Sequence, residues 1–138
     1  FISSLDQIIV MSVVPGKSGQ KYIENTHEKT KNLMVNLKEN GFTGYIEADG
    51  GVTLDNIGQC FADGARAFVG GSAIIGQTDV RLVIREFRNQ VLRTRRKLLI
   101  QKANELGGTE LVNKWIDLHV LGKKKDELTQ IATELGYQ

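Results

Sequence analysis

Three successive segments of the chain show the same order of apolar and polar residues, which predicts a strand, a loop and a helix in each. The first begins with an apolar, β-branched run over residues 8–14, which is typical of a strand buried on both faces of a parallel sheet. Pro15-Gly16 ends this run, and Lys17-Ser18-Gly19-Gln20 is predicted to be a loop. Apolar positions among many charges then predict an amphipathic helix over residues 22–40.

The same order recurs twice more. The second segment is predicted as a strand over 45–48, a loop over 49–51 and a helix over 54–62. The third is predicted as a strand over 65–69, a loop over 70–72, a helical turn over 73–75 and a long helix over 79–102. Three such segments in succession predict parallel strands joined by right-handed crossovers, and hence an α/β fold.

Composition limits the classes of protein to which the chain can belong. Its 138 residues are 41% hydrophobic and 25% charged, which suits one folded domain and excludes a disordered chain. The single cysteine, Cys60, excludes a disulfide-stabilised scaffold. No apolar run approaches the ~20 residues of a membrane span and no signal peptide opens the sequence, so we expect a cytoplasmic protein.

Charge divides the chain into two parts, with a net charge of −3 over the first 80 residues and +5 over the rest. Residues 103–138 lack the strand pattern, and their apolar spacing predicts two helices, over 109–120 and 126–135. We therefore expect an α/β part over residues 1–102 and a helical extension over residues 103–138.

The loops after the predicted strands carry candidate chemistry. Asp49 lies at the carboxyl end of a strand, where α/β folds bind ligands, and the two glycines after it let the backbone approach a ligand closely. A carboxylate there can move a proton or bind a metal, although a simple Asp-Gly turn is the commoner meaning of the tripeptide. Gly70-Gly71-Ser72 offers N–H groups and a hydroxyl to a phosphate, and Gly16-Lys17-Ser18-Gly19 has room to close as a lid.

These loops, in their order, resemble those of the ribulose-phosphate 3-epimerases. The resemblance covers residues 5–80 and is carried by Met11-Ser12-Val13-Val14-Pro15-Gly16-Lys17-Ser18-Gly19-Gln20-Lys21-Tyr22, Ile46-Glu47-Ala48-Asp49-Gly50-Gly51-Val52, Ala62-Asp63-Gly64-Ala65 and Phe68-Val69-Gly70-Gly71-Ser72-Ala73-Ile74. The chain departs from the family at Lys17-Ser18, where an aromatic residue and a glycine are usual. It also departs at Val14, where a polar residue is usual, and at Arg66, where an acidic one is common.

The resemblance implies the C-terminal part of a (β/α)8 TIM barrel, with the three predicted strands as strands six, seven and eight. It implies that Asp49 binds a divalent metal (zinc, iron, manganese or cobalt) and serves as one of two acid/base groups. It further implies that the residues binding the substrate and its phosphate are Met11 on the pocket floor, Gly16, Lys17, Ser18 and Gly19 in the lid, and Gly50, Gly51, Gly71 and Ser72 at the phosphate.

The implied reaction inverts carbon 3 of a ketose phosphate, converting ribulose 5-phosphate into xylulose 5-phosphate. One aspartate removes the proton next to the carbonyl, and a second returns a proton on the opposite face. Two groups are needed, because one group on one face would return the proton to where it came from. The metal would steady the enediolate oxygens in a place that little water reaches.

Other residues of the family's site have no match in this sequence. The second aspartate, two histidine metal ligands and a serine that contacts substrate are missing, and His27 and His119 are interpreted as surface or packing histidines. We therefore expect a C-terminal piece of a barrel, or a half-barrel that pairs with another chain, and expect it to be inactive alone. The expected partners are a ketose phosphate, the missing N-terminal half and further copies of the chain, because open strand edges associate.

The long helix carries eight basic residues between Arg81 and Lys102 and a single acid, Glu86. We interpret them as the solvated outer face of the last barrel helix, because no aromatic residues are interleaved for base stacking. No nucleic-acid or membrane partner is expected. The extension after this helix is expected to cover the base of the barrel or to form an oligomer contact anchored by Trp115.

Other functions stay open on the sequence alone. Allulose-6-phosphate 3-epimerase has the same layout and a substrate that differs by one carbon. A non-catalytic sugar-phosphate-binding or assembly module would keep the phosphate loops without the metal site. A decarboxylase or aldolase of the same barrel superfamily is the third alternative.

Overall fold

The computed structural model describes residues 2–105 and residue 108, which show an α/β fold. A 3-10 turn over Ile2–Ser4 precedes the strands and helices of this part of the chain. In chain order these are β1 (Gln7–Met11), α1 (Asn25–Glu39), β2 (Tyr45–Asp49), α2 (Ile57–Ala62), β3 (Ala65–Val69), α3 (Gly71–Ile75) and α4 (Val80–Glu105). The chain divides into two compact units, Phe1–Arg95 and Arg96–Gln138. The helices predicted over 109–120 and 126–135, with Trp115 and His119, lie outside the described residues.

The three strands form one parallel sheet in the order β1-β2-β3, which confirms the α/β prediction. Val10 of β1 pairs with Ala48 of β2, and Ala48 pairs with Phe68 of β3. Because all three strands run in the same direction, their carboxyl ends meet at one edge of the sheet. The loops predicted to carry the chemistry all leave from that edge.

The two faces of the sheet differ in what covers them. On one face, here called the packed face, Val10, Ile46 and Ala48 contribute to the core and are at most 4% exposed. The opposite face, here called the open face, carries Ile9 at 55% exposure and Met11 at 38%. The expectation that the first strand is buried on both faces is therefore wrong for the described residues, because the helices cover one side of the sheet only.

The core lies between the packed face and three helices, which contribute Leu37 from α1, Ile57 from α2 and Phe87 from α4. At the end of α1, Gly41 has a φ of 73°, and the N–H of Phe42 donates to the carbonyl of Leu37 at 3.0 Å. This is the Schellman arrangement that ends a helix at glycine. It turns the chain back, so that Phe42 enters the core beside Leu37.

Several boundaries differ from the sequence prediction. The first strand ends at Met11 rather than residue 14, and α2 begins at Ile57 rather than residue 54, whereas β3 has the predicted bounds. Directly after the end of the first strand, the Ser12 N–H and hydroxyl both bond to the carbonyl of Asp49. Within the described residues, no helix is both long and apolar enough to cross a membrane.

Candidate active site

Asp49 lies at the centre of the carboxyl edge of the sheet. It is the last residue of the middle strand, and its paired neighbours are Met11 of β1 and Val69 of β3. Residues paired in register point to the same side, so these three side chains all belong to the open face. Met11 and Val69 are 38% and 40% exposed, and Asp49 is half-buried between them. Among the described residues, no side chain donates a hydrogen bond to the Asp49 carboxylate, which leaves its oxygens available to a ligand.

The backbone that carries Asp49 is held in place by Ser12. The Ser12 side chain is fully buried, and its hydroxyl contacts the carbonyl oxygens of Asp49 and Gly50 at 2.9 and 2.6 Å. The Ser12 N–H also donates to the Asp49 carbonyl at 2.8 Å. A buried hydroxyl with these bonds stabilises one loop geometry, since removing it would leave carbonyls unsatisfied. Ser12 therefore fixes the direction in which the chain leaves the strand after Asp49.

Gly50 and Gly51 are both required by the backbone at this edge. Gly50 has a φ of 112°, and a Cβ there would overlap the Cγ2 atom of Val13. Gly51 has a φ of 64°, and its Cβ would lie 2.5 Å from the backbone nitrogen of Tyr22. Because a side chain is excluded on both grounds, the loop packs directly against the chain segment that follows the lid.

Asn56 closes the same loop from its far side. Its amide nitrogen donates to the Gly51 carbonyl at 3.0 Å, and its side-chain oxygen accepts from the Thr53 N–H at 2.8 Å. These bonds occupy the residues just before α2, whose first helical residue is Ile57. The late start of α2 and the shape of the loop after Asp49 thus have one cause.

The predicted lid, Gly16-Lys17-Ser18-Gly19, is an exposed loop after β1. Gly16 and Gly19 have φ values of 106° and 73°, and a Cβ on either would meet nothing within 4 Å. Gln20 draws the loop together, because its amide nitrogen donates to the carbonyls of Val14 at 2.6 Å and Lys17 at 2.8 Å. Gln20 therefore holds the two ends of the lid together, and the space beside its two glycines is open.

The third loop brings Gly71 and Ser72 to the same edge of the sheet. Both are exposed and form the first turn of α3, directly after Gly70. First-turn N–H groups have no partner within a helix, and a Cβ on Gly71 would meet nothing within 4 Å. The space beside Gly71 is therefore open at the first turn of α3.

The described residues do not form a complete metal site. Within residues 2–105 and 108, no three His, Cys, Asp or Glu side chains come together at a spacing that would hold a metal ion. Asp49 therefore offers one carboxylate ligand and no more. His27, as interpreted from the sequence, is a packing histidine: its ring stacks on Tyr22 and contacts the buried Asp63.

Ser12 and Asn56 hold the loop after Asp49 and Gln20 holds the lid, and sequence reasoning did not single out these three residues. Ser12 gives a usable signal, because one small polar residue inside an apolar run has to bury a hydroxyl and satisfy it. Gln20 and Asn56 give no comparable signal, since amides in loops are ordinary. The residues predicted from the glycine loops do converge on one edge of the sheet, through the three strand ends that carry them.

Comparison with known proteins identifies relatives of this part of the chain. Residues 1–75 match the model of the "Ribulose-phosphate 3 epimerase family". The chain is 43% identical to ribulose-phosphate 3-epimerase of Escherichia coli strain K12 over 90 residues, which are 65% of this chain and 40% of that protein. It is 40% identical to the chloroplastic ribulose-5-phosphate-3-epimerase of Arabidopsis thaliana over 78 residues, which are 56% of this chain and 28% of that protein. The matched segment thus spans less than half the length of these relatives.

Proposed function

Because this chain belongs to the ribulose-phosphate 3-epimerase family, we propose that it supplies the C-terminal half of an enzyme that inverts carbon 3 of a ketose phosphate. In this proposal β1, β2 and β3 are strands six, seven and eight of a (β/α)8 barrel. The substrate is ribulose 5-phosphate and the product xylulose 5-phosphate. The observation that carries the proposal is the carboxylate of Asp49, which no described residue pairs with, at the sheet edge where three glycine loops meet.

Asp49 is proposed to exchange a proton with carbon 3 of the substrate. The hydrogen is acidified by the neighbouring carbonyl, and its removal leaves an enediolate. Ser12 fixes the backbone of Asp49 through two bonds to its carbonyl, so the carboxylate is oriented before substrate arrives. Inversion needs a second group on the opposite face of the carbon, and we propose that this group lies outside the described residues.

The phosphate is proposed to bind the backbone amides of Gly51, Gly71 and Ser72, with Gly50 shaping the approach. Backbone amides suit this role, because they donate in fixed directions and cost no side-chain entropy on binding. Gly16, Lys17, Ser18 and Gly19 would close over the sugar, and Met11 would form the floor of the pocket. A divalent metal enters the proposal through Asp49 as one ligand, with its other ligands outside the described residues.

The open face supports a proposal about partners. Ile9, Met11, Tyr45 and Val69 leave 38 to 55% of their surface uncovered on the described chain. We propose that the remaining strands of a barrel cover this face in the working protein, and that the 138-residue chain alone self-associates through it. Sedimentation of the isolated chain should show oligomers that weaken in Ile9→Lys, whereas a monomeric wild-type chain would contradict this part.

The decisive experiment replaces the proposed base in the gene product that contains this sequence. Asp49→Asn should lower turnover of ribulose 5-phosphate by at least about 1,000-fold, the scale of losing a general acid/base group. The matched control is Glu47→Gln, the same carboxylate-to-amide change two residues earlier on the same strand and face. Turnover of Glu47→Gln should stay within about threefold of wild type, as expected for a residue away from the chemistry. If both variants lose activity equally, or Asp49→Asn retains it, Asp49 is not the base.

One observation favours a second candidate, a sugar-phosphate-binding module without catalysis. The described residues bring one free carboxylate to the site and no set of three side chains that could hold a metal. Calorimetry with ribulose 5-phosphate and with allulose 6-phosphate, alongside both turnover assays, separates the alternatives. Binding without turnover in the complete gene product would favour the non-catalytic module. Faster turnover of allulose 6-phosphate than of ribulose 5-phosphate would identify the six-carbon sugar phosphate as the substrate.

A further inference from the structure

A buried charged cluster lies behind the candidate active site, on the packed side of the sheet. Its centre is Asp63, whose side chain is completely buried at the end of α2. One carboxylate oxygen contacts His27 Nδ1 at 2.5 Å. The other accepts a hydrogen bond from Gln59 Nε2 at 2.7 Å and pairs with Lys31 Nζ at 3.3 Å. A buried carboxylate with three partners is stable only while those partners stay in place.

His27 connects this cluster to Tyr22. The two rings stack with their centroids 4.6 Å apart and their planes 29° apart. The Tyr22 hydroxyl also interacts with the Cys60 thiol, whose residue is 1% exposed. Burial raises the pKa of Tyr22 far above its ordinary value, so the hydroxyl stays protonated and available as a donor. The Tyr22 ring is thus held by an imidazole that Asp63 itself holds.

The backbone of Tyr22 in turn touches the loop after Asp49. The position of a Cβ on Gly51 lies 2.5 Å from Tyr22 N and 2.8 Å from Tyr22 Cα, so the two segments are in direct backbone contact. The next residue, Ile23, donates its N–H to the carbonyl of Ser12 at 2.9 Å. The Tyr22–Ile23 segment therefore contacts both Gly51, the second residue after the proposed base, and Ser12, which bonds to the carbonyl of that base.

We propose that Asp63 is a positioning residue for the active-site loop. Through His27 it fixes the ring of Tyr22, and through the Tyr22 backbone it fixes Gly51 and the end of the lid. Asp63 touches no substrate in this arrangement. The consequence for turnover rests on the proposed function, whereas the consequence for the loop's geometry is independent of it.

Amide hydrogen exchange of the full 138-residue chain, followed by NMR, tests the geometry. The reporter is the Ile23 N–H, and the internal reference is the Ala48 N–H in the middle of the central strand. Asp63→Asn keeps the shape of the side chain and removes its charge, and should speed exchange at Ile23 about tenfold more than at Ala48, the effect of loosening one net hydrogen bond. Leu37→Ala is the control, because it weakens the core from the same helix as His27 without touching the cluster.

Equal acceleration of both amides in Asp63→Asn, as expected for Leu37→Ala, would overturn the proposal, because Asp63 would then serve stability alone. An unchanged Ile23 amide would overturn it as well. Tyr22→Phe guards against failure to fold, since it removes only the hydroxyl that contacts Cys60. It should speed Ile23 selectively by about threefold, a weaker effect than that of Asp63→Asn.

The functional consequence is measured separately on the active gene product. Asp63→Asn should lower kcat about tenfold and change KM for ribulose 5-phosphate less than threefold, because it loosens the loop that carries the base and Gly51 while the phosphate amides of Gly71 and Ser72 stay in place. Instability alone lowers the folded fraction, and with it the apparent kcat, without changing KM. The rates are therefore compared per folded molecule, and on that basis Leu37→Ala should equal the wild type. If the wild-type protein shows no turnover, the proposed function fails, while the ratio of the Ile23 and Ala48 exchange rates still decides the role of Asp63.

Discussion

The packed face and the open face of the same three strands differ in how deeply their side chains are buried. Ile46 on the packed face is completely buried, whereas Ile9 on the open face of the neighbouring strand is 55% exposed. Both are isoleucines in paired, parallel strands. The two residues therefore differ in what covers them, since the helices of residues 2–105 lie on one side of the sheet only.

This difference shows where stability and chemistry separate. Burial of apolar side chains stabilises the chain on the packed face, at about 25 cal/mol for each Å² removed from water. The open face holds the uncompensated carboxylate of Asp49 and four apolar side chains with little protein over them. In the described residues, the packed face thus provides the stabilising apolar burial, and the open face carries the candidate catalytic carboxylate.

The largest expected effect comes from replacing an isoleucine by alanine on each of the two faces. Ile46→Ala should lower the free energy of unfolding by about 3 kcal/mol, because it removes buried methylenes and leaves a cavity. Ile9→Ala should change it by less than about 0.5 kcal/mol in the monomeric chain, as expected at an exposed site. Urea denaturation followed by circular dichroism measures both. Equal losses would mean that the open face is covered in the isolated chain.

A smaller effect is expected where the packed side reaches the active-site loop. Gly50→Ala should lower the free energy of unfolding by about 2 kcal/mol, because its φ of 112° is strained for alanine and the new methyl group overlaps Val13. Gly19→Ala, at a φ of 73° in open space, should lower it by about 1 kcal/mol. Thermal unfolding of the two variants gives the comparison. A Gly50→Ala variant as stable as Gly19→Ala would show that Val13 moves aside freely.

The smallest effect is a loss of stability at alkaline pH that originates beneath the packed face. Burial raises the pKa of the Cys60 thiol, so the folded chain keeps this proton where the unfolded chain, with a pKa near ~8.5, loses it. The contribution is complete below that pH and is lost as pH rises toward the folded-state pKa. The free energy of unfolding should therefore fall by about 1 kcal/mol between pH 8 and pH 9.5.

Cys60→Ala should flatten this part of the pH profile, because the titrating thiol is gone. Urea denaturation at half-unit pH steps is the measurement. An unchanged alkaline slope in Cys60→Ala would assign the loss to other groups. It would also show that the thiol is better hydrated than its 1% exposure indicates.

The strands were the most predictable part of the fold. Ala65–Val69 has the predicted bounds, because Gly64 and Gly70 punctuate an apolar run from both sides. The predicted first strand ends three residues too late, because the strand stops at Met11, just before Ser12 bonds to a carbonyl 37 residues away. Local patterns predict where a chain can be extended, and contacts distant in sequence decide where it stops.

The candidate site was predictable in its loops and not in its supports. Asp49 and the glycines can be recognised in the sequence by their residue type and by their position after apolar runs. The contact between His27 and Asp63 joins residues 36 positions apart, on two helices whose relative placement no local pattern encodes. Asp63 reads in sequence as a polar residue at the end of a helix, where solvent exposure is the ordinary expectation.

The parallel pairing of the strands also has a consequence for how the chain folds. Val10 pairs with a residue 38 positions away and Ala48 with one 20 positions away, so no strand can find its partner through a tight hairpin. Each ladder closes only after a long segment has been brought into place, and the entropic cost of closure grows with that length. We expect β2 and β3, joined by the shorter loop through α2, to pair first, and β1 to dock onto them later.

Pulse-labelled hydrogen exchange during refolding would show that order as earlier protection of Phe68 than of Val10. Because strands that are distant in sequence pair slowly, their apolar residues stay exposed to other molecules until the sheet has formed. A chain that assembles in this order is most vulnerable to misassociation in the interval before its first strand arrives.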